Sequence, residues 1–133
     1  MRRTKWFERE FDFSLPVGVF PCVVERLRGT PARLEELVRS LPPRVLTARR
    51  GNSWSIQEHV GHLIDLDELH EGRLEALSEA AVAASALHPR LGKQMRVIDM
   101  ALFVAEHDDH HLATITELGR NFTIADFGLR NAD

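Results

Sequence analysis

The spacing of apolar residues is the feature that most constrains how this chain folds. Apolar side chains recur at three- and four-residue intervals in three stretches of the sequence, residues 20–41, 56–84 and 96–118. This period matches the 3.6-residue turn of an α-helix and places the apolar side chains on one face of it. The spacing therefore predicts an all-α protein, a bundle with three long helices.

A capping pattern marks the start of the second predicted helix. Ser55 and Glu58 have the spacing of a capping box, in which each residue hydrogen-bonds the backbone N–H of the other. The apolar period that follows reaches residue 77, and the alanine-rich segment beyond it favours continuation of the helix. We therefore predict the second helix over residues 56–84.

The remaining segments are predicted from their helix-breaking residues. Residues 29–31, Gly-Thr-Pro, predict that the first helix is either kinked there or divided into two. Residues 1–19 alternate aromatic and charged side chains and form a predicted extended arm, and Gly119 is the predicted C-cap before an irregular tail over 119–133. Together these segments make one predicted domain over residues 1–133, which is a usual domain length.

Composition narrows the class of protein. The sequence has 17 Lys and Arg against 20 Asp and Glu, a formal net charge of -3, and only short apolar runs. A nucleic-acid-binding face normally carries an excess of basic residues, and a membrane span needs about 20 apolar residues, so neither partner is expected. The first residues also lack the apolar core of a signal peptide, and the chain is predicted to be cytoplasmic.

Histidine carries the main chemical signal of the sequence. Five of the seven histidines lie in two clusters, at residues 59–62 and 107–111, while the single cysteine, Cys22, leaves imidazole and carboxylate as the metal ligands available. His107 and His111 are one helical turn apart on an apolar face, so both rings point towards the core. Two such imidazoles can bind one ion, and a third would leave an open position for water or substrate. The competing interpretation is a set of hydrogen-bonded core histidines.

Periodicity leaves the third ligand open and draws attention to one carboxylate. His59 lies near the middle of the apolar stripe of the second helix and His62 at its edge, so the spacing favours His59. Asp108 is predicted on the buried face of the last helix, where a carboxylate needs a cation or a hydrogen-bond donor. The spacing of His107, Asp108 and His111 is that of the HExxH zinc motif with Asp for Glu, which suggests a general-base role for Asp108.

Two sequence motifs resemble a known family. Residues 54–65, WSIQEHVGHLID, and 103–113, FVAEHDDHHLA, are similar to the DinB/YfiT-like superfamily, whose members are regarded as metalloenzymes. The resemblance implies a four-helix bundle in which one histidine of the first motif and two of the second bind a divalent metal, most commonly zinc or nickel. The metal ligands that it implies are His62, His107 and His111. It thus selects His62 where the spacing favoured His59.

The resemblance also implies a function. Characterised relatives use the metal to activate a low-molecular-weight thiol for transfer or isomerisation, and many other members are described as hydrolases. The predicted function is therefore that of a divalent-metal-dependent thiol transferase or hydrolase, with Glu106 and Asp108 as candidates for proton transfer or for orienting the ligands. One alternative is a metal-binding or structural helical dimer without activity. Another is a regulatory interaction module built on the aromatic arm around Trp6.

One departure from the family pattern affects the predicted assembly. Most of the third bundle helix has no counterpart between residues 77 and 87, which predicts a shortened bundle with an uncovered apolar stripe and a homodimer that buries it. If the second helix ends near residue 77, His62 and His111 meet within one chain. If it continues to residue 84, they are offset by about 10 Å and meet only between exchanged chains.

Overall fold

The computed structural model describes residues 3–70, 77–89 and 91–130, without the side chains of 67–70 and 123–130. These residues form mostly α-helix, with 3-10 turns at Trp6–Glu8 and Val17–Val19 and one antiparallel hairpin. The helices are α1 (Phe20–Arg28), α2 (Thr30–Arg39), α3 (Pro43–Thr47), α4 (Ile56–His70), α5 (Glu79–Ala83) and α6 (Val97–Arg130), and the strands are β1 (Ser85–His88) and β2 (Lys93–Arg96). The predicted helical class is confirmed. None of the described helices combines the length and apolarity that crossing a bilayer requires.

The first predicted helix, over residues 20–41, is divided into two. α1 ends at Arg28, the N–H of Gly29 donates to the carbonyl of Glu25 at 3.1 Å, and α2 begins at Thr30. Pro31 has no N–H with which to continue the hydrogen bonds of α1, but it fits the first turn of a new helix. Of the two interpretations, a kink or a break, the structure shows the break.

α4 begins at the predicted residue. The N–H of Ser55 donates to Oε2 of Glu58 at 2.9 Å, and the N–H of Glu58 donates to Oγ of Ser55 at 3.3 Å. These reciprocal hydrogen bonds are the predicted capping box. Hydrogen bonds from the backbone and then the hydroxyl of Ser55, with a smaller contribution from Arg49, outweigh desolvation and lower the pKa of Glu58. The hydrogen bonds that cap the first turn of α4 therefore favour the ionised form of Glu58.

The second predicted helix, over residues 56–84, is not continuous. Leu77 and Ser78 lie outside helices, and Ser78 is the N-cap of the separate helix α5, where its hydroxyl accepts a hydrogen bond from the N–H of Ala81 at 3.2 Å. A hydroxyl in this position satisfies the free N–H groups of a new first turn, which explains the interruption. The part of the prediction that falls on residues 71–76 lies outside the described residues.

The last helix extends beyond its predicted end. α6 spans Val97–Arg130, so Gly119 is internal to the helix and is not a C-cap, and the predicted irregular tail is helical as far as Arg130. Residues 131–133 are outside the described part of the chain. A Cβ atom at position 119 would lie 3.4 Å from the methyl carbons of Leu41. The glycine therefore permits close packing of Leu41 against α6.

The β1–β2 hairpin has no counterpart among the sequence-based predictions. Ser85 pairs with Arg96 at the open end of the hairpin. In its turn, Gly92 has a φ of 61°, in the left-handed region that favours glycine. The N–H of Leu91 donates to Nδ1 of His88 at 3.2 Å, and this hydrogen bond links the turn to the last residue of β1.

The chain comprises two compact units, each with its own core. The first unit contains Met1–Gly29 and His70–Asp108, and the second contains Thr30–Leu69 and Asp109–Asp133. The buried apolar residues of the first are Phe20, Val23, Val82, Ile98, Ala101 and Ala105. Those of the second are Leu34, Val45, Ile56, Leu63, Leu112, Ile115 and Leu118. Because α6 is one continuous helix, it supplies buried residues to both cores.

Candidate metal centre

Four aromatic rings cluster beside the first turns of α4 in the second unit. The ring centroid of His111 lies 4.9 Å from those of His59 and His62. The Trp54 indole lies 5.4 Å from His59, 5.2 Å from His62 and 6.1 Å from His111. His111 is 7% exposed and Trp54 is 44% exposed. The indole therefore lies over the imidazole cluster and presents its remaining surface to solvent.

Local sequence explains why these rings meet. His59 and His62 are three residues apart on α4, so their side chains leave the helix on the same side. Ile56 and Leu63 flank them, are fully and almost fully buried, and pack in the same core as Leu112 of α6, the residue after His111. The capping box and these buried contacts fix the backbone of both helices beside the cluster. The histidine rings thus project from well-anchored positions.

The three predicted ligands come together within one chain. His62, His107 and His111 each offer a ring nitrogen, and these nitrogens all lie within 4.8 Å of one another. His107 and His111 are one turn apart on α6, as their spacing predicts. This is the arrangement expected when the ligands meet within a single chain, in contrast to the exchanged-chain alternative.

The donor set fits a divalent cation. Two nitrogens bound tetrahedrally at about 2.0–2.1 Å to one ion are roughly 3.4 Å apart. The nitrogens of His62, His107 and His111 are at most 4.8 Å apart, which is close to that spacing. Neutral imidazoles supply the lone pairs that zinc, nickel, copper and iron accept. The residues present are therefore compatible with metal binding, and they do not by themselves select the metal.

His59 has a different relation to His111. Its Nδ1 atom lies 2.7 Å from Nδ1 of His111. That separation is typical of a hydrogen bond and shorter than the roughly 3.4 Å between two ligands of one tetrahedral ion. The group of three converging ring nitrogens contains His62, the histidine that the family resemblance implies, whereas the apolar spacing favoured His59.

The candidate general base lies beside one of these histidines. Asp108 is 7% exposed, and its Oδ1 atom is 3.9 Å from Nδ1 of His107, beyond direct hydrogen-bonding distance. The His107 ring also contacts Trp6, whose ring centroid is 5.2 Å away in an edge-on arrangement. The structure thus brings Asp108 next to a predicted ligand, where its negative charge favours a nearby cation.

The second candidate for proton transfer has arginine partners. Glu106 accepts a hydrogen bond from Arg26 at 2.7 Å and a longer one from Arg9 at 3.5 Å, so it ties α1 and the N-terminal arm to α6. Glu106 and Arg9 also line an open cavity of about 680 Å³ formed mainly by arm residues. The structure therefore places the carboxylate of Glu106 in a structural ion-pair network.

Sequence reasoning missed several residues of the site. Trp54 entered only as part of a motif, and its position immediately before the N-cap Ser55 was the available signal that it lies beside the histidines. Trp6 was assigned to an arm with a different possible role. The arginine partners of Glu106 lie 80 and 97 residues away in sequence, and no spacing pattern links residues so far apart.

Comparison with known proteins adds one finding. Residues 26–70 match the sequence model of the DinB superfamily. The matched segment runs from near the end of α1 to the end of α4 and contains His59 and His62. No curated protein and no solved structure matches the chain. Over residues 26–70, the chain is therefore similar to the DinB superfamily.

Proposed function

We propose that the chain binds one divalent metal ion, zinc or nickel, through His62, His107 and His111, and uses it in thiol transfer or hydrolysis. The observation that carries the proposal is the convergence of three imidazole nitrogens within 4.8 Å. The similarity of residues 26–70 to the DinB superfamily, which is generally associated with metals, supports it.

The protein residues have distinct tasks in this proposal. A bound divalent ion lowers the pKa of a coordinated thiol or water and so provides a nucleophile at neutral pH. His62, His107 and His111 would hold the ion with three protein ligands, the number that is usual in catalytic zinc sites. Asp108, buried beside His107, is the group that we propose to receive the proton of the nucleophile or to favour the cation by charge. Glu106 keeps α1 and the arm in place through its arginines.

Metal analysis of the purified protein tests the first step. We expect about one divalent ion per chain, and we expect replacement of His107 or His111 by Ala to weaken metal affinity by at least about 100-fold, since each removes one ligand. His88→Asn is the matched control because the Asn oxygen can replace the Nδ1 acceptor used by Leu91. A wild-type protein without stoichiometric metal, whose thermal stability is insensitive to a chelator, contradicts the proposal.

A non-catalytic metal-binding protein is the second candidate. The small size of α5 favours this candidate. α5 has five residues, whereas the corresponding part of a four-helix bundle is a long helix that helps to enclose a substrate. Addition of thiols to the cobalt-substituted protein separates the two candidates. An enzyme with an open coordination position shows a change in the visible cobalt spectrum, whereas a closed structural site does not.

Two further properties remain predictions from the sequence. A homodimer is expected if part of the apolar surface of the helices is uncovered, and light scattering on the purified protein measures it. The predicted cytoplasmic location and the absence of nucleic-acid and membrane partners rest on composition and charge.

A further inference from the structure

The geometry assigns His59 the role of a positioning residue: it accepts a hydrogen bond from Nδ1 of His111 and so directs Nε2 of His111 to the metal. This inference rests on the proposed metal site and deepens it. The observation behind it is the 2.7 Å contact between the Nδ1 atoms of the two rings.

The inference follows from counting protons on the two rings. A hydrogen bond between two ring nitrogens needs one N–H and one lone pair. A neutral His111 that gives the lone pair of Nε2 to a metal must carry its hydrogen on Nδ1. That N–H then points at Nδ1 of His59, which must be the acceptor and carry its own hydrogen on Nε2. Direct coordination by His59 through the same atom is incompatible with the 2.7 Å contact.

The surroundings hold the pair in this relation. His59 leaves α4 one turn before His62, so the residue that orients one ligand is on the same helix face as another ligand. The Trp54 ring lies 5.4 Å from the His59 ring and stacks at 21° on the ring of His111. The indole therefore limits rotation of both imidazoles. Hydrogen bonds of this type fix the tautomer and orientation of a metal-bound histidine.

Two substitutions of equal shape isolate the acceptor. The oxygen of Asn can occupy the position of Nδ1 in His59, so His59→Asn keeps an acceptor, while His59→Leu has the same branching and offers none. We expect Leu to weaken cobalt affinity about 10- to 100-fold and Asn to stay within about threefold of the wild type. Calorimetric titration of the metal-free proteins measures this, with thermal unfolding as the check on folding.

Nitrogen-detected NMR of the zinc-bound wild type supplies a readout that does not depend on any variant. We expect the His111 ring to coordinate through Nε2 and to carry its hydrogen on Nδ1. Coordination through Nδ1 of His111 overturns the inference, as does equal affinity in the Leu variant and the wild type. Equal weakening by Asn and Leu also overturns it, because that pattern indicates a ligand or a packing role for His59.

The same experiments distinguish a wrong metal site from a wrong role for His59. If the wild type takes up neither cobalt nor zinc, the metal site itself is refuted and the role of His59 falls with it. If the wild type binds and the Asn and Leu variants do not differ, only the role of His59 is refuted. Should the Leu variant fail to fold, His59→Gln replaces it, since its polar atoms lie one bond too far to take the place of Nδ1.

Discussion

α6 buries one carboxylate in its first turn and another further along the helix, and the two carboxylates have different neighbours. Asp99 is 3% exposed and Asp108 is 7% exposed. Asp99 accepts hydrogen bonds from the backbone N–H and Nε of Arg96 at 2.9 Å and from Nη2 at 2.7 Å. Beside Asp108 lies the imidazole of His107. The cation beside Asp99 is the guanidinium of Arg96, whereas Asp108 lies beside a histidine that we propose as a metal ligand.

The Arg96–Asp99 pair is a complete structural unit. The guanidinium of Arg96 also donates to the carbonyls of Phe13 and Leu15, which fixes the end of the N-terminal arm at the start of α6. Burial by itself raises the pKa of Asp99, but hydrogen bonds from the side chain and backbone of Arg96, with its charge, lower the pKa overall. In return, the hydrogen bond with Asp99 raises the pKa of Arg96. The comparison teaches that burial of a carboxylate alone does not indicate a site, whereas its neighbours do.

The largest effect is expected from Asp99→Ala. The change removes the hydrogen-bond partner of the partly exposed Arg96 side chain and the cap of the first turn of α6, and we expect a loss of about 2 kcal/mol in the free energy of unfolding. Metal affinity should not change. Urea titration measures the loss, and Asp12→Ala, at an exposed position, is the control with an expected effect below about 0.5 kcal/mol. An equal loss in both variants contradicts the structural role of the pair.

The Arg96–Asp99 pair should also make the stability of the protein depend on pH in the acidic range. The pKa of Asp99 is lower in the folded chain than in the unfolded chain, so its contribution to stability is present above the unfolded value, about 4. That contribution is lost as the pH falls through the lowered pKa of the folded state. We therefore expect the wild type to lose more stability than Asp99→Ala between about pH 4 and pH 2. Parallel curves for the two proteins exclude this origin of the acid sensitivity.

A smaller effect, on metal affinity, should come from the other region. Asp108→Asn removes a buried negative charge beside His107, and we expect about tenfold weaker binding of a divalent metal, equivalent to about 1.4 kcal/mol. Asp109→Asn is the adjacent control because Arg33, 2.7 Å away, already balances the charge of Asp109. Calorimetric titration compares the two. Equal weakening by both indicates a general effect of charge and not a specific role of Asp108.

The smallest effect is expected from Gly119→Ala, in a part of α6 outside both regions. Alanine favours a helix interior over glycine by up to about 1 kcal/mol, and the new Cβ at 3.4 Å from Leu41 offsets part of this. We expect stability to rise by less than about 1 kcal/mol and metal affinity to stay unchanged. A marked loss of stability in thermal unfolding indicates that Leu41 cannot yield to the new methyl group.

Local signals were sufficient to predict much of the fold. The capping box at Ser55 predicted the start of α4 to the residue, because the two residues that form it are neighbours in sequence. The break at Gly29 and Pro31 was one of two predicted outcomes for the same reason. The prediction of Gly119 as a C-cap was wrong because glycine is favoured both at the end of a helix and where another residue packs closely against a helix. Only the position of Leu41 distinguishes the two.

For the candidate site, too, local sequence predicted some features and could not predict others. The relation of His107 to His111 follows from helix geometry, whereas the identity of the third ring needed the family resemblance, since apolar spacing favoured His59. The hydrogen bond of His59 to His111 joins residues 52 positions apart, and it depends on how α4 packs against α6. The hairpin was missed because alanine-rich residues before β1 favour a helix locally, and only pairing with β2 stabilises the extended form.

The placement of the indoles has a practical consequence. The sequence contains two tryptophans and no tyrosine. Trp6 meets the ring of His107, and Trp54 meets those of His62 and His111, so each chromophore touches a different part of the histidine cluster. Intrinsic fluorescence of this chain therefore reports from the cluster itself. A paramagnetic ion such as nickel at the cluster would quench the emission of both indoles, and a change in one alone would show which side a ligand approaches.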